Sequence, residues 1–108
     1  MLVVLPAARL DLLGQTEYYD SQGGDELGDR FVRQCEAAFE RLLRFPKSGA
    51  PVPCRYPRLV HCRFIPVPDF DSILIFYRLT VDQVKIVRVI HGARDIEAAL
   101  GDGGDGTA

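Results

Sequence analysis

Between Arg58 and Ile90 three strand-like runs, RLVHCRFIPV, SILIFYRL and VKIVRVI, follow one another with only PDFD and TVDQ between them. Connections that short cannot carry a crossover, so the three strands must run antiparallel as a meander. In the first run Val60, Cys62 and Phe64 alternate with His61 and Arg63, the period of a strand with one face in the core. The second run is apolar nearly throughout, as a strand covered on both faces should be. The third carries Lys85 and Arg88, whose long stems can lie on apolar surface while the charges reach water.

The apolar surface needed to cover such a sheet lies upstream. LVVL near the N-terminus is a short strand candidate, and Pro6 suits the first position of a helix, where its missing N–H costs nothing. Leu10 and Leu13, and Ala8, Leu12 and Tyr19, recur at helical spacing and predict a first helix ending near Asp20. SQGGDE is a turn, with Gly23 and Gly24 to stop that helix and Asp25 to cap the next. Phe31, Cys35, Ala38, Phe39, Leu42 and Phe45 then form an apolar stripe on a second helix, with Arg30, Arg33, Gln34, Glu40, Arg41 and Arg44 on its other side. Two helices joined by so short a turn should pack as an antiparallel hairpin. FPKSGAPVPCRYP follows, and its prolines and glycine predict a loop without regular structure.

The expected fold is therefore α+β, in the order β-α-α-β-β-β with a short helix after the last strand. A helical hairpin packs on an antiparallel sheet, and the N-terminal strand closes one sheet edge. The 108-residue length suits one domain over residues 1–100, and the tail 101–108, GDGGDGTA, is expected to be disordered.

The net charge of −2 hides an uneven distribution. From Arg41 to Pro68 the chain carries Arg41, Arg44, Lys47, Arg55, Arg58 and Arg63 and no acid, whereas acids outnumber bases elsewhere. Such a local positive field suggests an anionic partner, the alternative being a solvated arginine surface. Eleven of the 13 basic residues are arginine, which favours planar, bidentate contacts with carboxylate or phosphate. Three cysteines, Cys35, Cys54 and Cys62, are an odd number without a CxxC pair, which argues for a reducing compartment and hence the cytoplasm. MLVVLP is too short to serve as a signal peptide or to span a membrane.

Three constellations could carry chemistry. Cys54, His61, Cys62 and His91 hold zinc-ligating atoms, but adjacent His61 and Cys62 point to opposite faces of a strand, and neither metal nor cofactor is expected. Cys54 beside Arg55 resembles an activated thiol without a local base. The third is RNA cleavage, which needs a base, a cation and an acid, and His91, Arg94 and Tyr77 supply those types. Against it stands a structural reading of VRVIHGARDI: a strand exit, a glycine turn at Gly92 and a helix cap at Asp95.

LIFYRL followed by VKIVRVIHGARDI, together with the YYDSQGG…RF hairpin and the FPKSG loop, resembles the RelE/ParE superfamily of bacterial type II toxins, from about Leu2 to Leu100. The resemblance implies a growth-inhibiting toxin of the plasmid stabilisation type, neutralised by a small acidic antitoxin and assembled as a homodimer or a toxin–antitoxin hetero-oligomer. It also implies one of two targets: DNA gyrase for ParE-like members, or messenger RNA in the ribosomal A site for RelE-like ribonucleases.

Arg94 lies close to where the ribonucleases keep a C-terminal arginine, but the tyrosine expected soon after it is missing from IEAALGD. SILIFYRL begins with apolar residues where a ribonuclease tends to present arginine, and the pI of about 5.6 is unlike that of a protein entering a phosphate-packed ribosome. The expectation is a ParE-like inhibitor that is not an enzyme, with Arg41, Arg44, Arg55, Arg58, Arg63 and Arg94 meeting target or antitoxin. The alternative is a ribonuclease acting through Arg94, His91 and Tyr77.

Overall fold

The computed structural model describes residues 1–53 and 56–92. Strands β1 (Leu2–Val4), β2 (Ala50–Pro51), β3 (Cys62–Val67), β4 (Phe70–Leu79) and β5 (Val84–His91) form one sheet in the order β1-β5-β4-β3-β2. The meander demanded by the short turns is present: Phe64 pairs with Phe76 and Leu79 with Val84, both antiparallel. β1 closes the edge beside β5, but runs parallel to it with Leu2 opposite Val84, so the sheet is mixed rather than wholly antiparallel.

The segment Pro6–Arg44 is helical from end to end except at Gly23 and Gly24, whose backbones leave the helical region. Gly24 adopts φ 77°, a left-handed conformation that glycine takes without the steric conflict of a Cβ. The chain doubles back there. Tyr19 and Phe31 stack with ring centroids 5.1 Å apart, whereas twelve residues of straight helix would separate them by about 18 Å. Arms αA (residues 6–22) and αB (residues 25–44) are thus the expected hairpin, with Ala8, Leu12 and Tyr19 of αA turned to the core. Leu10 and Leu13, also expected on an apolar stripe, are exposed because they lie on the other side of the arm.

The hairpin packs on one face of the sheet. Ala8, Phe31, Cys35, Ala38 and Leu42 from the arms meet Ile73, Ile75, Tyr77, Val84, Ile86 and Val89 from β4 and β5. Phe45 departs from the expected stripe: αB ends at Arg44, and Phe45, at the cap, is 59% exposed. The opposite sheet face is also covered. Tyr56, Leu59, Cys62, Phe76 and Ile90 form a second cluster, joined by Val52, Phe64, Leu74 and Val87. β4 is accordingly buried on both sides, as its unbroken apolar run predicts.

The proline-rich stretch is more ordered than its composition suggests. Ala50 and Pro51 pair with Phe64 and Arg63, Val52 N–H donates to the Cys62 carbonyl (3.1 Å), and Pro57–Leu59 form a 3-10 turn. Pro51 is tolerated because it lies on the edge strand, where no further ladder donor is needed. Alternation in the first run also fails at one point. His61 sits at φ 72°, so β3 begins only at Cys62 and Val60 is exposed rather than inward. The helix expected after β5, the Asp95 cap and the tail lie outside the described residues.

Cys35 is a core residue. Burial pushes its thiol up to about 12, and the Glu36 carboxylate adds to the shift. An unfolded chain gives up this proton near 9.0, the ordinary value, while the folded chain keeps it. The group's contribution is full below that value and is lost as pH rises from 9.0 to about 12. Denaturant titrations should show the stability of Cys35→Ala falling less over this range than that of the wild type. Parallel curves would contradict the assignment.

Candidate functional site

The FPKSG loop is fixed from below by two side chains of the sheet. Tyr77 on β4 is fully buried, and its hydroxyl donates to the Pro46 carbonyl at 2.8 Å and accepts from Gly49 N–H at 2.9 Å. Arg63 on β3 donates through Nη1 to the Gly49 carbonyl at 2.7 Å and to the Lys47 carbonyl at 3.3 Å. Gly49 is needed for this close approach, since a Cβ there would lie 2.6 Å from the Tyr77 hydroxyl and 2.8 Å from the Phe64 carbonyl. A loop with its backbone groups held in this way does not have to be ordered when a partner arrives.

The loop and the last turn of αB together present Arg41, Arg44, Phe45 and Lys47 to solvent. Arg41 and Arg44 also complement the partial negative charge at the helix C-terminus. An open depression of about 670 Å³ runs over Arg41, Arg44, Phe45, Pro46, Lys47 and Ser48. A neighbouring groove of about 500 Å³ lies between αB and β3, lined by Ala37, Ala38, Arg41, Ser48, Ile65, Pro66 and Pro68. Arg41 and Ser48 belong to both, so the basic platform and the largely apolar groove form one surface.

The remaining sequence candidates disperse. Arg58 is exposed on the 3-10 turn whose Leu59 packs on the opposite sheet face, away from Arg41 and Arg44. Arg63 faces the loop rather than open solvent. Arg55, Arg94 and Cys54 lie outside the described residues. His91 ends β5 opposite Ile73, whereas Tyr77 lies four residues farther along β4, roughly 13 Å away along the strand. The Tyr77 hydroxyl is buried and occupied by backbone partners, so that it works as a strut under the loop and not as an acid facing solvent.

A second constellation was not legible in the sequence. Asp11 on αA accepts from Arg88 Nε at 2.7 Å, from Arg88 Nη2 at 2.9 Å and from Val89 N–H at 3.0 Å. Its cause lies at the sheet edge: β1 stops at Val4, leaving the outer edge of β5 beyond it without a strand partner, and the Asp11 carboxylate takes that edge N–H. The pairing slips between Phe76 and Tyr77, which face Arg88 and Ile86, leaving Val87 as an extra residue. Such a bulge re-aims the next side chain, and Arg88 turns to the carboxylate instead of reaching for water.

The family model described as "ParE toxin of type II toxin-antitoxin system, parDE" matches residues 2–96. This chain belongs to the ParE toxin family. Among solved structures it is similar to a chain from "Chromosomal ParDE TA system from P. aeruginosa", with a TM-score of 0.69 and 19% identity over 83% of this chain and 92% of that one. Comparison with the curated proteins finds no match. For a ParE-family toxin, the membership implies an antitoxin partner. Among the described residues no helix is long and apolar enough to cross a membrane.

Proposed function

We propose that this ParE-family toxin acts in the cytoplasm by binding DNA gyrase, without cleaving RNA, and that a cognate acidic antitoxin neutralises it through the surface around Arg41, Arg44 and Lys47. Membership of the ParE family supports the gyrase target, and the position of Tyr77 is the observation that argues against RNA cleavage. Its hydroxyl is enclosed under the FPKSG loop, and His91 is four strand positions away, so the two cannot act on one phosphodiester. General acid–base cleavage needs both groups within hydrogen-bond reach of one substrate, and its remaining candidate cation is Arg94. The second half is supported by the charge of the platform and by the preorganisation that Tyr77 and Arg63 confer on it.

Expression of the toxin alone should arrest growth, and co-expression of its cognate antitoxin should restore growth. Primer extension on abundant transcripts during the arrest should show no cleavage between codon positions. Codon-phased cuts that vanish in Arg94→Ala would replace this reading with the ribosome-dependent ribonuclease.

A further inference from the structure

The outer side of αA is apolar and exposed. Its inner side is accounted for, since Ala8, Leu12 and Tyr19 pack on the core and Asp11 holds Arg88. On the opposite side Leu10 is 69% and Leu13 59% exposed, and the ring of Tyr18 is half-exposed farther along the arm. Positions 10, 13, 14, 17 and 18 share one side of a helix, so these residues form a stripe that points away from the sheet. Gly14 lies within the stripe, and a Cβ there would meet nothing within 4 Å, which leaves a notch among the apolar side chains. Two charges flank the stripe. Arg9 and Glu17 are exposed, and the side chain of neither pairs with another among the described residues. They stand four residues before and four after Leu13, about 6 Å along the helix in either direction.

We propose that two copies of this chain associate through αA, with the two arms antiparallel about a two-fold axis at Leu13. A two-fold contact requires that residue i of one copy meet residue j of the other and that j meet i. Arg9 of each copy then stands beside Glu17 of the other. Two equivalent ion pairs thereby bracket a seam of Leu10 and Leu13, and the notch at Gly14 gives a leucine of the facing helix room to settle. The charge pattern selects a second copy over other occupants. An acidic partner or an oligonucleotide would meet the Glu17 carboxylate as well as the Arg9 guanidinium, whereas the same stripe reversed places opposite charges at both ends. One helix against another is a small interface, so the dimer should dissociate at concentrations on the order of 10 μM. The association needs neither gyrase nor antitoxin and is independent of the function proposed above.

Sedimentation equilibrium of the full chain, from well below to well above that concentration, should show the mass rising from 12.0 kDa toward twice that value. Arg9→Glu and Glu17→Arg each set like charges against one another at both pairs, and each should weaken association at least about tenfold. Arg9→Glu/Glu17→Arg restores opposite charges at both pairs and should recover most of the affinity. Leu13→Glu places two carboxylates on the axis and should leave only monomer. None of these side chains is buried, so circular dichroism should show all four variants folded like the wild type. A chain that stays monomeric at every concentration would overturn the inference, as would a double variant no better than the single ones. A dimer that survives Leu13→Glu would place the contact on another face. A monomeric toxin whose antitoxin complex is weakened by Leu13→Glu would give this face to the antitoxin, and would overturn the inference too.

Discussion

Asp11→Ala should destabilise the protein by about 3 kcal/mol, because truncation leaves Arg88 and the Val89 N–H without their shared acceptor in a partly buried site. The side chains are 12% exposed at Asp11 and 24% at Arg88, so water replaces these bonds only in part. For a chain of this length the loss corresponds to a melting temperature lower by roughly 10 °C or more. Asp11→Asn, which keeps an acceptor for Val89 but not the charge, should fall between the two. A double-mutant cycle with Arg88→Ala isolates the pair, and additive effects would show that the carboxylate contributes only its bond to the β5 edge. An Asp11→Ala melting temperature equal to that of the wild type would refute the role assigned to this contact.

The largest effect on binding is expected from Arg41→Glu/Arg44→Glu. Reversing two charges on a preorganised platform should weaken the antitoxin complex about a hundredfold, or about 2.7 kcal/mol, and should reduce its dependence on salt. The fold should survive, since both side chains are exposed and contribute to stability mainly by opposing the dipole of αB, at about 0.3–1 kcal/mol each. Calorimetric titration of purified antitoxin into wild type and variant reads the change directly. Equal affinities would mean that the antitoxin uses another face.

The architecture was largely legible because hydrophobic periodicity and connection length dictate it. PDFD and TVDQ are too short for anything but antiparallel turns, and β4, apolar on both faces, had to lie between two covering layers. Gly23 and Gly24 marked the hairpin, and Gly24 proves to be the residue with positive φ. What escaped were features set by long-range geometry. No local pattern announces that β1 will stop at Val4, that Val87 will be the extra residue of a bulge, or that Asp11 will therefore be drawn to Arg88. Prolines argued against strand structure at Ala50–Pro51, yet an edge position removes their objection. At the candidate site, the sequence identified a basic stretch but not its division. Arg41, Arg44 and Lys47 face solvent together, Arg63 turns inward to hold the loop, and Arg58 lies over the other sheet face. Tyr77 shows the limit most clearly, because a tyrosine in IFYR reads equally as an acid or as a strut until its hydroxyl is placed between Pro46 and Gly49.

The action proposed for this toxin, binding gyrase without cutting RNA, can be read in one reaction. The most direct measurement incubates purified toxin with DNA gyrase, ATP and supercoiled plasmid, followed by detergent and protease. Linear plasmid should accumulate with toxin concentration and disappear when antitoxin is added first. Plasmid that stays intact at every concentration, while the same preparation cleaves messenger RNA on translating ribosomes, would contradict it.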